Sequence, residues 1–284
     1  MKTDSQPLRI ATRKSALAMY QAERVQAHLA VLDPACLPEL LPMSTKGDEQ
    51  LNWSLEKKGG KGLFTSELER ALVAGEADLA VHSAKDLPTE MPEGLALAGY
   101  LPRAAVEDVL VIRDGVAQPQ SIATGSPRRR GQLKRFFPSV KWTEIRGNVE
   151  TRLRKIREGE ADATVMAMAG LKRLNLWQAP GLRFQPLSIH QSVPAAGQGA
   201  IAVQCRASEV DRWSGGLCQA TRFAVDIERH ALAAMGGGCH SAAAAHYCNG
   251  RLWLFEERRG ARTLRLGDVG LSTDWESVIR DWLL

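Results

Sequence analysis

The chain lacks several things, and each shortage closes a class of function. No apolar run in its 284 residues reaches membrane-spanning length, so no transmembrane helix and no membrane partner are expected. Residues 1–15 lack the apolar core and small-residue cleavage site of a secretory signal, which points to a cytoplasmic location. Cysteine is sparse. The five thiols, Cys36, Cys205, Cys218, Cys239 and Cys248, form an odd set without CxxC spacing, suited to a reducing compartment rather than to a disulfide framework. A thiol with a chemical task is therefore permitted.

An excess of one charge is also nearly missing. Thirty-seven Lys plus Arg against 32 Asp plus Glu leave +5, so any anion specificity must come from locally clustered arginines. Aromatic residues make up 6% and are not interleaved with the basic turns, so a nucleic-acid partner is not expected. The lysine and glycine run Lys57, Lys58, Gly59, Gly60, Lys61, Gly62 imitates a nucleotide phosphate loop, but Leu55 and Gly62 stand where that loop needs glycine and Ser or Thr.

What is present is a repeated strand-turn-helix pattern. Residues 8–11 read as a strand, Arg13 and Ser15 as the turn, and Ala18, Ala22, Val25 and Leu29 as one face of a helix that Ser15 caps. Free N–H groups and a positive dipole end beside Arg13 make that corner a ready anion site. Ser66 and Glu69 read as a capping box for a helix that buries Leu68 and Leu72 and stops at Gly75. The apolar run 77–80 then leads into VHSAKDLP at 81–88, a strand that ends at a Lys85-Asp86 pair and a proline. In open α/β sheets, ligands are met outside such carboxyl ends.

From residue 108 the logic recurs. Strands at 108–112, 122–124, 141–146 and 163–167 alternate with turns that deliver Arg128 and Arg129, then Arg152, then Arg173. Alternation of this kind argues for α/β lobes with parallel or mixed sheets. The segment 193–204 reads as returning the chain to the first lobe, so that two lobes joined by two crossings form a clamp. From about residue 221 a helix, the glycines Gly236, Gly237 and Gly238, Cys239, and further strands suggest a small α+β domain.

Seven motifs stand in order along this pattern: LRIATRKSALA, GGKGLFTSELE, AVHSAKDLP, RGNVETRL, AMAGLKRL, PAAGQGAIAVQCR and GGGC. Together they resemble the porphobilinogen deaminase family, also called hydroxymethylbilane synthases. The resemblance implies two periplasmic-binding-protein-like lobes with mixed sheets, at 1–101 with 199–219 and at 102–198, and a cofactor-attachment domain at 220–284. It implies a transferase of tetrapyrrole (haem) biosynthesis that adds four porphobilinogens to a covalent dipyrromethane primer, releases ammonia at each addition, and hydrolyses the product to hydroxymethylbilane. In such a family Cys239 holds the cofactor by a thioether, Asp86 is the cleft carboxylate, and Lys85 lies beside it. Arg13, Ser15, Ser83, Arg128, Arg129, Arg146, Arg152 and Arg173 match the substrate- and cofactor-binding residues, and Lys57 and Lys61 match a flexible loop. A monomer is expected.

The residue types suit the task. A chain of pyrroles with acetate and propionate arms is a polycarboxylate, which guanidinium forks pair in two-point contacts. A carboxylate beside the pyrrole nitrogens would stabilise the cation left when ammonia departs. The chain departs from the family in two places that matter below: Gly125-Ser126-Pro127 replaces a turn that usually opens Ser-Ser, and of the segment 103–108 only Arg103 and Asp108 carry over. His240, His246 and Cys248 accompany Cys239 without metal-ligand spacing, so no metal is expected. An inactive paralogue, keeping only a two-lobed anion-binding cleft, is the alternative reading.

Overall fold

The computed structural model describes residues 7–36, 38–45, 47, 65–238, 241–265, 274 and 277–279. The chain forms two compact units, one of residues 1–50, 61–103 and 200–222, the other of 51–60, 104–199 and 223–284.

In the first unit, β1 (Arg9–Arg13), β2 (Glu39–Met43), β3 (Leu79–Ser83), β4 (Leu95–Tyr100) and β10 (Ile201–Arg206) form one sheet in the order β2-β1-β3-β10-β4. β1 runs parallel to β2 and β3, while β10 runs antiparallel to β3 and β4. Successive side chains of a strand point to opposite faces, and the sequence uses both. Ile10, Leu79, Val81, Ile201 and Val203 pack under Ala22, Val25 and Leu29 of helix α1 (Ala16–Leu32). Ala11, Ala80 and Leu95 meet Leu68 and Leu72 of α2 (Ser66–Val73) on the other side.

α1 starts as its sequence dictates, with the Ser15 side chain accepting from Ala18 N at 3.4 Å. α2 does not. Its N-cap is Thr65, whose side chain makes no cap bond, and Ser66 Oγ turns instead to Glu67. The expected capping box is absent because Glu69 is buried and receives Gln204 Nε2 at 3.4 Å, a partner from β10. The end of α2 is as expected, with Gly75 at φ +69°.

The second unit repeats the layout. β5 (Asp108–Arg113), β6 (Ser121–Ala123), β7 (Lys141–Thr143), β8 (Ala163–Ala167) and β9 (Leu182–Pro186) order as β7-β6-β8-β5-β9. β6 is parallel to β7 and β8, and β5 is antiparallel to β8 and β9. One face carries Leu110, Ile122 and Val165 against Leu133 of α3 (Pro127–Leu133). The other carries Val109, Val111 and Met166 against α4 (Val149–Arg157) through Leu153 and Ile156, and against Leu171 of α5 (Met168–Arg173). The short helix α6 (Val210–Ser214) and then α7 (Gln219–Ala234) follow β10. A three-stranded antiparallel sheet, β11 (Ala243–Cys248), β12 (Arg251–Glu256) and β13 (Gly260–Arg265), packs Ala245, Leu252 and Leu254 on Ile227 and Ala231 of α7. Among the described residues no helix is long and apolar enough to cross a membrane.

The chain leaves the first unit beside the point where it returns. Ala104 N donates to Gly199 O at 3.1 Å, and Leu101 N to Ile201 O at 3.1 Å. Gly199 has φ +86°, and a Cβ there would sit 2.6 Å from Ala104 O and 2.8 Å from Ala105 O. Both obstacles are backbone, which cannot rotate away. Gly199→Ala is expected to cost about 2–4 kcal/mol, from left-handed strain plus overpacking; a lowered denaturation midpoint in urea is the measurement, and an unchanged one would refute the close approach.

Candidate functional site

Two polar clusters gather most of the predicted site residues, one in each unit. In the first unit the carboxyl ends of β1 and β3 lie side by side because the two strands are parallel neighbours. β1 ends at Arg13, the turn presents Ser15, and β3 ends at Ser83. Lys85 and Asp86 follow in a single 3₁₀ turn, Ala84–Asp86, and both are half-buried. Arg13, Ser15, Ser83 and Asp86 line one pocket, and the structure adds Gln21 and Thr65 to them. The pocket opens to solvent. A guanidinium, hydroxyls and an amide together with a carboxylate make a site for a ligand that carries both signs of charge.

Gln21 stands four residues after Leu17 and three after Ala18, which also line the pocket, so it shares their face of α1. Its Nε2 donates to Ser83 Oγ at 2.9 Å, and the serine hydroxyl, 3.2 Å from Oε1, is held by the same amide. Beside Ser83, His82 is buried, lines the pocket, and bonds Gln204 Oε1 through Nε2 at 2.9 Å. Gln204 in turn donates to Glu69, which fixes its amide so that His82 must donate. Burial pushes the His82 imidazole down to about 4, with the Gln204 bond opposing and Arg13 adding to the fall. The ring is therefore neutral near pH 7.

In the second unit Asp108, the first residue of β5, is fully buried. Its Oδ1 accepts from Arg129 Nη2 at 2.8 Å, Arg129 Nε at 3.1 Å and Gln198 Nε2 at 3.0 Å. Oδ2 accepts from Ser192 Oγ at 2.7 Å and pairs with Arg128 Nη1 at 2.8 Å. Burial alone would push this carboxyl up, but the charges and hydrogen bonds of Arg128 and Arg129 hold it far below the ordinary carboxylate range. The two guanidinium groups also reach backbone oxygens, Arg128 that of Val193 at 2.7 Å and Arg129 that of Val165 at 2.9 Å. They are only 6% and 8% exposed, so little of either side chain is open to a ligand.

The other arginines lie on neighbouring turns. α3 is capped by Ser126, which accepts from Arg129 N at 3.4 Å, so the remaining hydroxyl of the divergent Gly125-Ser126-Pro127 turn is used locally. Gly125 abuts Arg146, where a Cβ would lie 3.9 Å from Arg146 Cδ. Arg146 Nε is a buried donor with no hydrogen-bond partner among the described residues; burial lowers this guanidinium's pKa while Glu144 opposes. Arg152 Nε donates to Gly147 O at 2.7 Å, and Arg173, the last residue of α5, donates to Gly199 O at 2.7 Å. Lys57, Lys61 and Cys239 lie outside the described residues.

With both clusters in place, the comparisons decide the family. The family model described as porphobilinogen deaminase, dipyromethane cofactor binding domain, matches residues 8–212, which include every residue of both clusters. The chain belongs to the porphobilinogen deaminase family. Relatives named porphobilinogen deaminase include one from Burkholderia vietnamiensis, 41% identical over 94% of this chain and 84% of its own length. Others come from Thiobacillus denitrificans, 44% identical over 87% of this chain and 83% of the relative, and from Neisseria meningitidis serogroup A, 42% identical over 92% and 83%. Cys239 falls after the family-model match, yet a relative aligned over 94% of the chain leaves too few residues at the ends to omit it. Among solved structures, the periplasmic VFT2 domain of Bordetella pertussis BvgS is similar at 18% identity and a TM-score of 0.45, covering 73% of this chain and 83% of that one.

Sequence reasoning did not single out Gln21, Thr65 or His82 in this chain, nor Ser192 and Gln198 beside Asp108. The only local signal was spacing: Gln21 stands six residues after Ser15, and His82 precedes Ser83 inside VHSAKDLP.

Two measurements follow. His82 titrates near 6.5 when unfolded, so as pH falls from there the unfolded chain takes up the proton first, and stability present above pH 6.5 is lost down to about 4. Wild type should lose about 3 kcal/mol more than His82→Gln between those values; parallel stability curves would show that the ring titrates alike in both states. Asp108→Asn, which leaves two buried cations short of their counter-charge, should cost about 3–5 kcal/mol in chemical denaturation, and a loss below 1 kcal/mol would contradict the pairing.

Proposed function

We propose that this chain is a working porphobilinogen deaminase: a transferase that condenses porphobilinogen with loss of ammonia on a covalent dipyrromethane primer and releases hydroxymethylbilane. The observation that carries the reading is the pocket that Asp86 lines together with Arg13 and Ser15 at the ends of two parallel strands.

The residues of the second unit fit a dipyrromethane. Such a group carries carboxylate arms, and the buried donor Arg146 Nε has no partner among the described residues. A carboxylate oxygen would satisfy it with a charge-assisted bond. Arg146, Arg152 and Arg173, with the little that Arg128 and Arg129 leave exposed, would hold the arms, and Cys239 would carry the thioether. When bound, the cofactor supplies an unsubstituted pyrrole carbon as the nucleophile.

The chain's own residues do the rest. Arg13 pairs a carboxylate arm of porphobilinogen beside the N–H groups that open α1. Ser83, fixed by Gln21, limits how the ring can tilt. The Asp86 carboxylate faces the aminomethyl side, stabilises positive charge as the C–N bond breaks, and accepts hydrogen bonds from pyrrole nitrogens. Lys85, one residue earlier in the same turn, keeps that turn cationic on its other side and offsets the negative charge at its neighbour. Neutral His82 behind Ser83 spares the site a competing cation. Lys57 and Lys61, outside the described residues, belong to the reading as further cationic residues. The three-part division at 1–101 with 199–219, 102–198 and 220–284, a monomeric state and a cytoplasmic location belong to the same proposal.

Intact-mass analysis tests it. Chain produced in cells that make porphobilinogen should carry an added mass of two pyrrole units, lost in Cys239→Ala, and should lengthen stepwise with added porphobilinogen. Asp86→Asn should keep the fold and the adduct yet release ammonia at least about a hundred-fold more slowly, the scale of a lost general acid–base or charge-stabilising group. An unmodified mass, or near-normal turnover in that variant, would overturn the assignment.

A further inference from the structure

Every pocket-lining hydroxyl has a partner but one. Ser15 Oγ accepts from Ala18 N, and Ser83 Oγ is engaged by the Gln21 amide. Thr65 Oγ1 is buried, in a residue 1% exposed, and has no hydrogen-bond partner among the described residues. Thr65 stands at the N-cap of α2, where a threonine ordinarily accepts from a backbone N–H two or three residues on; here it makes no such bond. Its backbone serves the helix through the bond from Glu69 N to Thr65 O at 2.9 Å, so the position is structurally useful without the hydroxyl. A buried hydroxyl left unpaired lowers stability, and that cost is recovered when a ligand supplies the missing partner.

We infer that the Thr65 hydroxyl is a further substrate-binding group of this pocket, donating a hydrogen bond to a carboxylate arm of the incoming pyrrole beside Arg13. The inference rests on the function proposed above. A carboxylate is acceptor-only, with about four lone-pair positions on its two oxygens, and the substrate's two arms bring more acceptor positions than one guanidinium can fill. Asp86, the pocket's own carboxylate, answers the cationic side of the ligand, which leaves the anionic side to Arg13 and to a neutral donor. Thr65 carries the pocket hydroxyl that neither donates nor accepts among the described residues, and because Thr65 is buried, a bond made there is shielded from competing water.

The test compares holoenzymes of wild type, Thr65→Val and Thr65→Ser. Valine keeps the shape and removes only the hydroxyl. Thr65→Val should leave the denaturation midpoint unchanged or raised, because no internal bond is lost, while KM for porphobilinogen rises about ten- to a hundred-fold, the worth of a hydrogen bond to a charged group. Thr65→Ser should return KM to within a few-fold of wild type. Esterifying the arm that Thr65 contacts should erase the difference between wild type and Thr65→Val when the mono-esters are compared as inhibitors. A Thr65→Val enzyme with KM within two-fold of wild type would mean that the hydroxyl holds only water, and would overturn the inference. A midpoint that falls along with activity, and is restored by serine together with it, would make Thr65 a structural residue and equally overturn it. A wild-type chain that neither carries the pyrrole adduct nor consumes porphobilinogen would remove the parent reading and this one with it, and that outcome is distinct from an active wild type indifferent to the hydroxyl.

Discussion

A single carboxylate taken wholly out of water organises the second unit. Asp108 begins β5, and the groups that keep it ionised come from α3, from the 192–198 segment and, through Arg129, from the backbone of β8. Removing one charge from water costs several kcal/mol, and recovering that cost demands close geometry from every partner at once. The consequence is positional: α3 cannot slide without parting Arg128 and Arg129 from Asp108, and the crossing segment at Ser192 and Gln198 is tied to the same atoms. Rigid guanidinium groups with little of each side chain exposed suit recognition of a planar carboxylate better than flexible surface arginines would, since little side-chain entropy remains to be lost on binding.

The first unit solves a different problem with the same means. Its pocket needs charges near the surface, Arg13 and Asp86, supported by neutral polar groups behind them. Burial keeps His82 uncharged, and Gln204 links that ring to Glu69, so the strand ends are cross-braced by hydrogen bonds that add no net charge to the site. Parallel pairing of β1 and β3 supplies the geometry, because it brings two carboxyl ends, and hence two functional turns, to one edge of the sheet. The second unit has the same strand-direction pattern, and its arginines likewise follow β6, β7 and β8. Over most of its length the chain is 41–44% identical to relatives named porphobilinogen deaminase; the fold alone would host many other ligands.

The sequence by itself determined whatever depends on near neighbours along the chain. The apolar face of α1, the Ser15 cap, the stop at Gly75 and the run of arginine-bearing turns after strands were all legible, since helix period, capping and left-handed glycine are decided within a few residues. Tertiary structure decided the partners. Glu69 looked like half of a capping box and became the acceptor for Gln204, 135 residues away; Arg128 and Arg129 looked like open forks and are held by Asp108 from 21 residues upstream of Arg129. Gln21 and Thr65 entered the pocket only when β1 and β3 were placed side by side. The reason is energetic: a buried polar group must find a partner wherever the fold brings one, and the cost of leaving it unpaired exceeds any local preference its sequence neighbours express.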